Sequence, residues 1–484
     1  MVGTRDADDL TGAAALAAVG DDDAPDTADR EASDSSIQRS RASTIAFWVV
    51  LALVTAGALW LRLEYIWTAR DGKPLGGDAL YYHATANLVA DGYGFINPFA
   101  YIFEGRLEQS AEHPPLFSLY LAAFSWLGYT TVHDHLIASA LLGTVTVVIG
   151  GLAGREMGGR VLGVLSALAL AIYPNIWRHD GMVMSETAAV FTTVLVIWLA
   201  YRFWWSPSVR RAAWLGVAVA LAALARSELA LLAVFLVLPL VLWQRQHPLK
   251  QRAKWLVAAA LGFLALLTPW LVFNHVRFGK PTFLSAQFEV TLATANCPGT
   301  YEGQWKGYWD LSCANTILRD NGIDDPLDPR APDVLLDETK RYVSEHRDLI
   351  PSVILARWGR LAGVYNIEQQ VTLIDTFFEG GTESVARAGI WSLWVAAGLS
   401  VLGIVVLKVR RVPITPLIGT VFTVFFTVTL LYTATRFRAP ADAALCFLAA
   451  AGVWGVGLAT VRIARASARL VRSAPQSAPT DPEP

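Results

Sequence analysis

Charge is scarce in this sequence: Asp, Glu, Lys and Arg make up 17% of the 484 residues, against 54% apolar ones. Cysteine is scarcer still, with Cys297, Cys313 and Cys446 alone, too few for a small scaffold stapled by disulfides. The amino terminus lacks the basic stretch and apolar core of a cleavable signal peptide. What fills the chain is a series of long apolar runs, separate from one another and without the alternation or helical striping of a soluble core.

A helix crosses the hydrocarbon layer with roughly 20 apolar residues, and inside it only helices or closed barrels satisfy the backbone. Runs rich in Leu, Ala and Val lie at 45–61, 136–153, 161–177, 182–201, 212–225, 229–243, 256–273, 390–407, 417–432 and 443–461. They predict an all-α polytopic membrane protein with about ten spans and substantial extracytoplasmic loops. The first 36 residues carry ten acids against Arg5 and Arg30, which is too acidic and too poor in aromatics to fold. The organisation that follows is a disordered acidic cytoplasmic tail over 1–42, then a transmembrane core over 43–273 with an outer loop over 64–135. An extracytoplasmic loop or small domain follows over 274–387, then closing transmembrane helices over 388–462 and a cytoplasmic tail over 463–484.

Basic residues set the orientation. With both termini inside, Arg155 and Arg160, Arg202, Arg210 and Arg211, Arg245 to Lys254, Lys408 to Arg411, and Arg462 to Arg472 all fall in the cytoplasm. The short outer connections keep Arg178, Arg226, Arg436 and Arg438. Residues 212–243 are long for one span and short for two, and the arginines at both ends make them a tight hairpin turning at Arg226-Ser227-Glu228. The run 116–127 after His113-Pro114-Pro115 is too short to cross and lies along the interface or dips into it. The larger outer segment predicts a helix over 334–347 and, in an oxidising compartment, a Cys297–Cys313 disulfide, with two free thiols as the alternative. Cys446 sits in a membrane helix as a packing residue.

Six polar positions gather on the outer side together with one histidine. Asp78, after Gly76-Gly77, either caps the helix that follows or serves as a general base. Glu112 and His113 stand before two stiffening prolines and suit a divalent cation or an anionic group, or they simply start a helix. Glu186 opens the fourth span, where an acid is a functional-site candidate by default, with a headgroup-level acid as the plainer alternative. Arg226, Arg436 and Arg438 either snorkel to lipid phosphates or converge on one phosphate. Such charges at the outer rim, away from the midplane favoured in transporters, favour an enzyme over a lipid-linked-sugar flippase or transporter. A noncatalytic assembly protein remains a third class.

Five stretches carry a resemblance: Gly77-Asp78-Ala79-Leu80-Tyr81-Tyr82, Glu112-His113-Pro114-Pro115-Leu116, Met184-Ser185-Glu186, Leu224-Ala225-Arg226-Ser227-Glu228, and Thr435-Arg436-Phe437-Arg438-Ala439-Pro440. Over residues 45–461 the chain resembles the polyprenyl-phosphate-sugar-dependent glycosyltransferases of the GT-C superfamily, in the branch of the protein O-mannosyltransferases and the lipid A aminoarabinose transferases, glycosyltransferase family 39. The resemblance implies a GT-C fold and inverting transfer of a sugar, of mannosyl or arabinosyl type, from a polyprenyl phosphate to a hydroxyl of an envelope glycan, glycolipid or protein. It implies Asp78 as catalytic base and Glu186 as a second catalytic acid position. Arg226, Arg436, Arg438 and His113 would lie at the donor phosphate, and a divalent metal ion, where one is used, at Glu112 and His113. Relatives often carry a second acid beside the early aspartate; Ala79 stands there, against a paired-carboxylate mechanism. The partners implied are the donor lipid, the acceptor and membrane lipids, with no nucleic acid, in a cell membrane with the site facing outward.

The orientation is directly testable. Cysteines introduced into 274–387 are expected to react with an impermeant thiol reagent in intact cells, and cysteines in 245–254 to be protected; the reverse pattern overturns it.

Overall fold

The computed structural model describes residues 27–279, 282–325 and 328–473, with side chains over 42–279, 282–325 and 328–467. Most of the two expected tails lies outside the described residues. The chain divides into two compact units, Met1–Trp48 and Val49–Pro484. A helix begins at Thr27, within the stretch expected to be unstructured, and the last helix, Ala439–Ser473, continues into the expected tail.

Every described element is helical, apart from one isolated bridge between Ile96 and Gln109. Among the described residues, six helices are long and apolar enough to cross a membrane: Ala42–Arg70, Val132–Gly158, Glu186–Trp205, Leu249–Phe278, Glu383–Val409 and Thr435–Ser467. A seventh is counted if Arg160–Ile172 and Pro174–Asp180, bent by 61°, form one span. The break falls at Pro174, which has no N–H to continue the ladder. The expectation of about ten is corrected on length. Val209–Ala225 and Thr415–Leu430 hold 17 and 16 residues, about 26 and 24 Å at 1.5 Å per residue, short of a hydrocarbon layer of roughly 30 Å. Ser227–Leu242 starts as a 3₁₀ turn and passes through a π-helical turn before its α-helical end. Leu116–Trp126 is also short, 11 residues, as expected.

Small residues let these helices approach. A Cβ built on Gly216 would lie 1.9 Å from the Ala259 carbonyl oxygen, and one on Gly262 2.2 Å from that of Ala213, locking Val209–Ala225 against Leu249–Phe278. Gly403 and Gly452 do the same between Glu383–Val409 and the last helix, facing the carbonyls of Leu448 and Leu399 at 1.9 and 2.3 Å. Such contacts replace the hydrophobic effect, which lipid tails abolish between spans. Large apolar side chains such as Leu53, Val257, Leu261, Val401 and Val405 are exposed on the spans, as lipid-facing surfaces require.

Between the Leu249–Phe278 and Glu383–Val409 spans, the helices Phe288–Ala295, Leu311–Asp320 and Ala331–Glu345 enclose a small core of Ala293, Ala314, Leu318, Ile323, Ala331 and Leu335. The last of these is the helix expected over 334–347. Cys297 and Cys313 are joined in a disulfide, as expected, and Cys446 is buried and free. Arg357 ties this region to the short Thr415–Leu430 helix, donating to the carbonyls of Ala295 and Thr429, each at 2.9 Å.

The glycine contacts make a contrast between neighbours. Gly403→Leu must force two backbones apart and is expected to destabilise by about 1–3 kcal/mol or more. Gly398→Ala, with no atom within 4 Å of the new Cβ, should be neutral or gain roughly 0.5–1 kcal/mol of helix stability. Thermal unfolding in detergent measures both.

Candidate active site

The site is assembled from five separate stretches. Gly77, at φ +50°, turns the chain into the Gly77–Ala90 helix, whose N-cap is Gly76 with no side-chain cap. Asp78 is therefore not the cap of this helix. Its carboxylate instead accepts from Arg436 Nη1 at 2.7 Å and faces His113 Nε2 at 3.6 Å. His113 is wedged edge-on against Tyr81 and tilted on Tyr82, just before Pro115, the N-cap of Leu116–Trp126. Arg436 arrives on the 3₁₀ turn Thr435–Arg438 ahead of the last span.

Glu186 opens its span with no exposed surface, and its N-cap Ser185 makes no side-chain cap. Glu186 Oε1 accepts from Arg226 Nη1 and lies 3.9 Å from Arg436 Nε, while Oε2 has no partner. Arg226, in extended backbone at the hairpin turn, also donates to Glu228 and lies over the Phe437 ring. The result is an alternation of charge, Glu228–Arg226–Glu186–Arg436–Asp78, at one end of the bundle.

Glu379, which sequence reasoning passed over, joins it. Its Oε1 lies 3.5 Å from Arg436 Nε and its Oε2 3.7 Å from Arg178 Nη2, and Arg178 in turn donates to Asp375 at 3.2 Å. The available signal was an acid directly before Gly380-Gly381 at the end of the long loop. Arg438 turns the other way. Its Nε donates to Asp442 at 2.9 Å and its Nη1 to the Leu361 carbonyl at 2.8 Å, so it stands apart from the donor-phosphate position expected of it.

A cavity of about 840 Å³ opens over Asp78, Tyr82, Glu112, His113, Arg226 and Arg436. One wall is apolar, with Val424, Phe426, Val428 and Leu430 from the short Thr415–Leu430 helix; another is polar, with Ser285, Gln287, Glu289 and Asp333. The Ala286 N–H donates to the Ala111 carbonyl at 2.8 Å, which fixes the second wall beside Glu112.

Burial disfavours a charge on Asp78, but Arg436 and then His113 outweigh it and hold the carboxyl well below the usual range. Burial, the largest single cause, pulls His113 down, but Asp78 and Glu112 together outweigh it, so its net displacement is upward. Glu112 is pushed up, first by burial. Glu379 is pushed up to about 8: burial is the largest cause, Arg436 and Arg178 oppose it, and Asp375 and Glu186 add to it.

The position expected for a metal, Glu112 and His113, is not among the groups of three or more ligand-type side chains that gather in the described residues. Asp78 Oδ2 is taken by Arg436, only its Oδ1 approaches His113, and Asp78, Glu112 and His113 do not converge on one point. Among the described residues, Cys297, Asp310 and Cys313 do bring three ligand-type groups together. The two sulfurs are bonded to each other there, so neither thiolate is available.

Residues 112–273 match the dolichyl-phosphate-mannose-protein mannosyltransferase family. No curated protein shows a sequence match to the chain. Among solved structures, the chain is similar to the archaeal oligosaccharyltransferase AglB from Archaeoglobus fulgidus, in a complex with an inhibitory peptide and a dolichol phosphate. The identity is 17% and the TM-score 0.51, covering 89% of this chain and 52% of that one. A complex of the Archaeoglobus fulgidus oligosaccharyltransferase with zinc and sulfate is matched at 17% identity and a TM-score of 0.46, over 88% of this chain and 51% of that one. The chain thus spans about half the length of the solved proteins it resembles. The likeness shows a fold shared with that oligosaccharyltransferase over most of this chain.

The disulfide loop supports the roof of the cavity, because Tyr308 packs with Ile374 and Ala434, against Trp309 and Phe437. Replacing Cys297 and Cys313 by serine opens a loop with a sequence separation of 16, a loss of about 3 kcal/mol in a chain-entropy account. Faster hydrogen exchange at 433–437 in the double variant is the expected result, and unchanged exchange there separates roof from disulfide.

Proposed function

We propose that this cavity is the active site of a membrane-embedded glycosyltransferase that takes a sugar from a polyprenyl phosphate and passes it, with inversion, to an acceptor hydroxyl on the extracytoplasmic face. The observation that carries the reading is Asp78 paired with Arg436, with Arg226 lining the same cavity, whose walls are one apolar and one polar. The match at residues 112–273 to a family named for a dolichyl-phosphate-mannose donor supports it. On this reading residues 274–387 form an outer cap over the site.

The apolar wall at 424–431 suits a polyprenyl tail and places its phosphate at Arg226 and Arg436. A guanidinium fork offers a phosphate charge-assisted, two-point contacts. A sugar on a lipid phosphate already carries a good leaving group, so the protein needs to accept the proton of the incoming hydroxyl and to stabilise charge on the departing phosphate. Asp78 is the base. While Arg436 holds it the carboxylate is ionised but weakly basic, and a phosphate that shares Arg436 loosens that hold and restores basicity. His113 positions Asp78 from the other side. Glu186 orients Arg226 and Arg436 from below, and Glu112, beside Gln287, faces the acceptor side. No step runs through a metal. The acceptor is a glycan, glycolipid or protein hydroxyl at the Ser285–Asp333 wall.

Asp78→Asn keeps the size and loses the basicity. Purified protein with a synthetic polyprenyl-phosphate sugar and an acceptor extract is expected to show transfer reduced by roughly 10²- to 10⁴-fold, with donor binding nearly intact. Arg226→Gln and Arg436→Gln should instead weaken donor binding, by about 1.5–3 kcal/mol each. Near-wild-type transfer by Asp78→Asn rejects the base. Donor movement across vesicles with no new glycosidic bond would assign the chain to transport.

A further inference from the structure

Arg436 is surrounded by more carboxylates than one guanidinium satisfies. Asp78 takes Nη1 at 2.7 Å, whereas Glu379 and Glu186 stand off Nε at 3.5 and 3.9 Å. Glu186 is fixed by Arg226. Glu379 is not fixed: its Oε2 has no hydrogen-bond partner, and Arg178, its other neighbour, is already engaged by Asp375. Around the three guanidiniums of Arg178, Arg226 and Arg436 stand five carboxylates, Asp78, Glu186, Glu228, Asp375 and Glu379. A further anion cannot settle on Arg436 without relief of this excess.

Resting on the glycosyltransferase reading, we propose that Glu379 is a donor-site residue: it occupies the Nε side of Arg436 until the lipid phosphate arrives there, and it carries a proton whenever the phosphate is bound. Where Glu379 starts ionised, its carboxylate takes a proton from water or buffer as a new O–H, and that gain cancels the single negative charge the phosphate brings; no other covalent bond changes. Asp78 fills Nη1 and Glu379 stands 3.5 Å from Nε; Glu379 lies behind the residues that line the cavity, so a phosphate that takes Nε from the cavity side displaces Glu379 from it. The segment holds the Glu379 backbone in place while leaving its carboxyl free to move. Glu379 ends the π-helical stretch Gln369–Phe378, and the next carbonyl, that of Gly380, accepts from the buried Arg70, which also donates to the Gly181 carbonyl.

The groups facing Glu379 are Arg436, Arg178, Asp375, Glu186 and Tyr308. With its carboxyl pushed up to about 8, Glu379 is neutral below that pH and donor binding there needs no proton. Above it, binding must add one, so affinity falls by up to about tenfold per pH unit until the bound-state value is passed.

The test uses the full chain in lipid nanodiscs and a synthetic polyprenyl mannosyl phosphodiester, whose single charge is constant over the range used. Binding is measured by calorimetry between about pH 6.5 and 9 for the wild type, Glu379→Gln, Arg436→Gln and the exposed control Glu368→Gln. Wild type and Glu368→Gln should bind alike and weaken above about pH 8, while Glu379→Gln stays flat and binds about tenfold tighter than wild type at pH 9. Calorimetry in two buffers of different ionisation enthalpy should show proton uptake in wild type and none in Glu379→Gln, a signature that a purely structural residue would not give. If Arg436→Gln weakens binding but Glu379→Gln follows the wild-type profile, or binds more weakly throughout, the role of Glu379 is overturned alone. If Arg436→Gln binds as the wild type does, the phosphate reading fails and this inference with it.

Discussion

One guanidinium, that of Arg436, holds the site together. It comes from the turn before the last span and reaches Asp78 in the first loop, Glu186 at the head of another span and Glu379 at the end of the long loop. Four regions far apart in sequence are thereby brought to one charge. Burying that charge is expensive, and the pairs around it are better viewed as registering those regions than as stabilising the protein outright. An arginine suits the task because its fork serves several anions in fixed directions and does not lose its proton.

Similar buried pins stand deeper in the bundle. Arg62 meets Asp180 at 2.7 Å, tying the first span to the end of the bent pair. Asp442 gathers Arg438, Tyr173 and Asn175, tying that same bend to the last span. These polar clasps and the glycine contacts act on the same interfaces: small residues set how close the helices come, and the ion pairs set which turn faces which. The catalytic candidates inherit their spacing from both.

Much of this was legible in the sequence, and the failures have identifiable causes. Spans showed because hydropathy is local; their number was overstated because hydropathy reports apolarity but not where a helix ends or tightens into a 3₁₀ or π turn, as happens between Ser227 and Leu242. Asp78, Glu112, His113, Arg226 and Arg436 all line one cavity and Glu186 lies directly beneath it, since each sat in a local pattern of turn, proline or charge at a span end. Arg438 turns to Asp442, one helical turn away: within Arg-Phe-Arg, nothing local says which arginine points at the cavity. Glu379 went unseen for the opposite reason, because its partners Arg178 and Arg436 are close only in the fold. The Asp78 cap failed because Gly76 and Gly77 start the helix one residue early and free the carboxylate to reach across.

The shortness of Thr415–Leu430 has a consequence for the bilayer itself. Its apolar length of about 24 Å leaves a mismatch of several ångströms with the hydrocarbon layer, which lipids accommodate by thinning locally. This helix forms the apolar wall of the cavity, so the dimple falls beside the arginines. On the proposed reading, headgroups there would ride lower than elsewhere, and the donor's phosphate would meet Arg226 and Arg436 at its own depth, without being lifted out of the membrane.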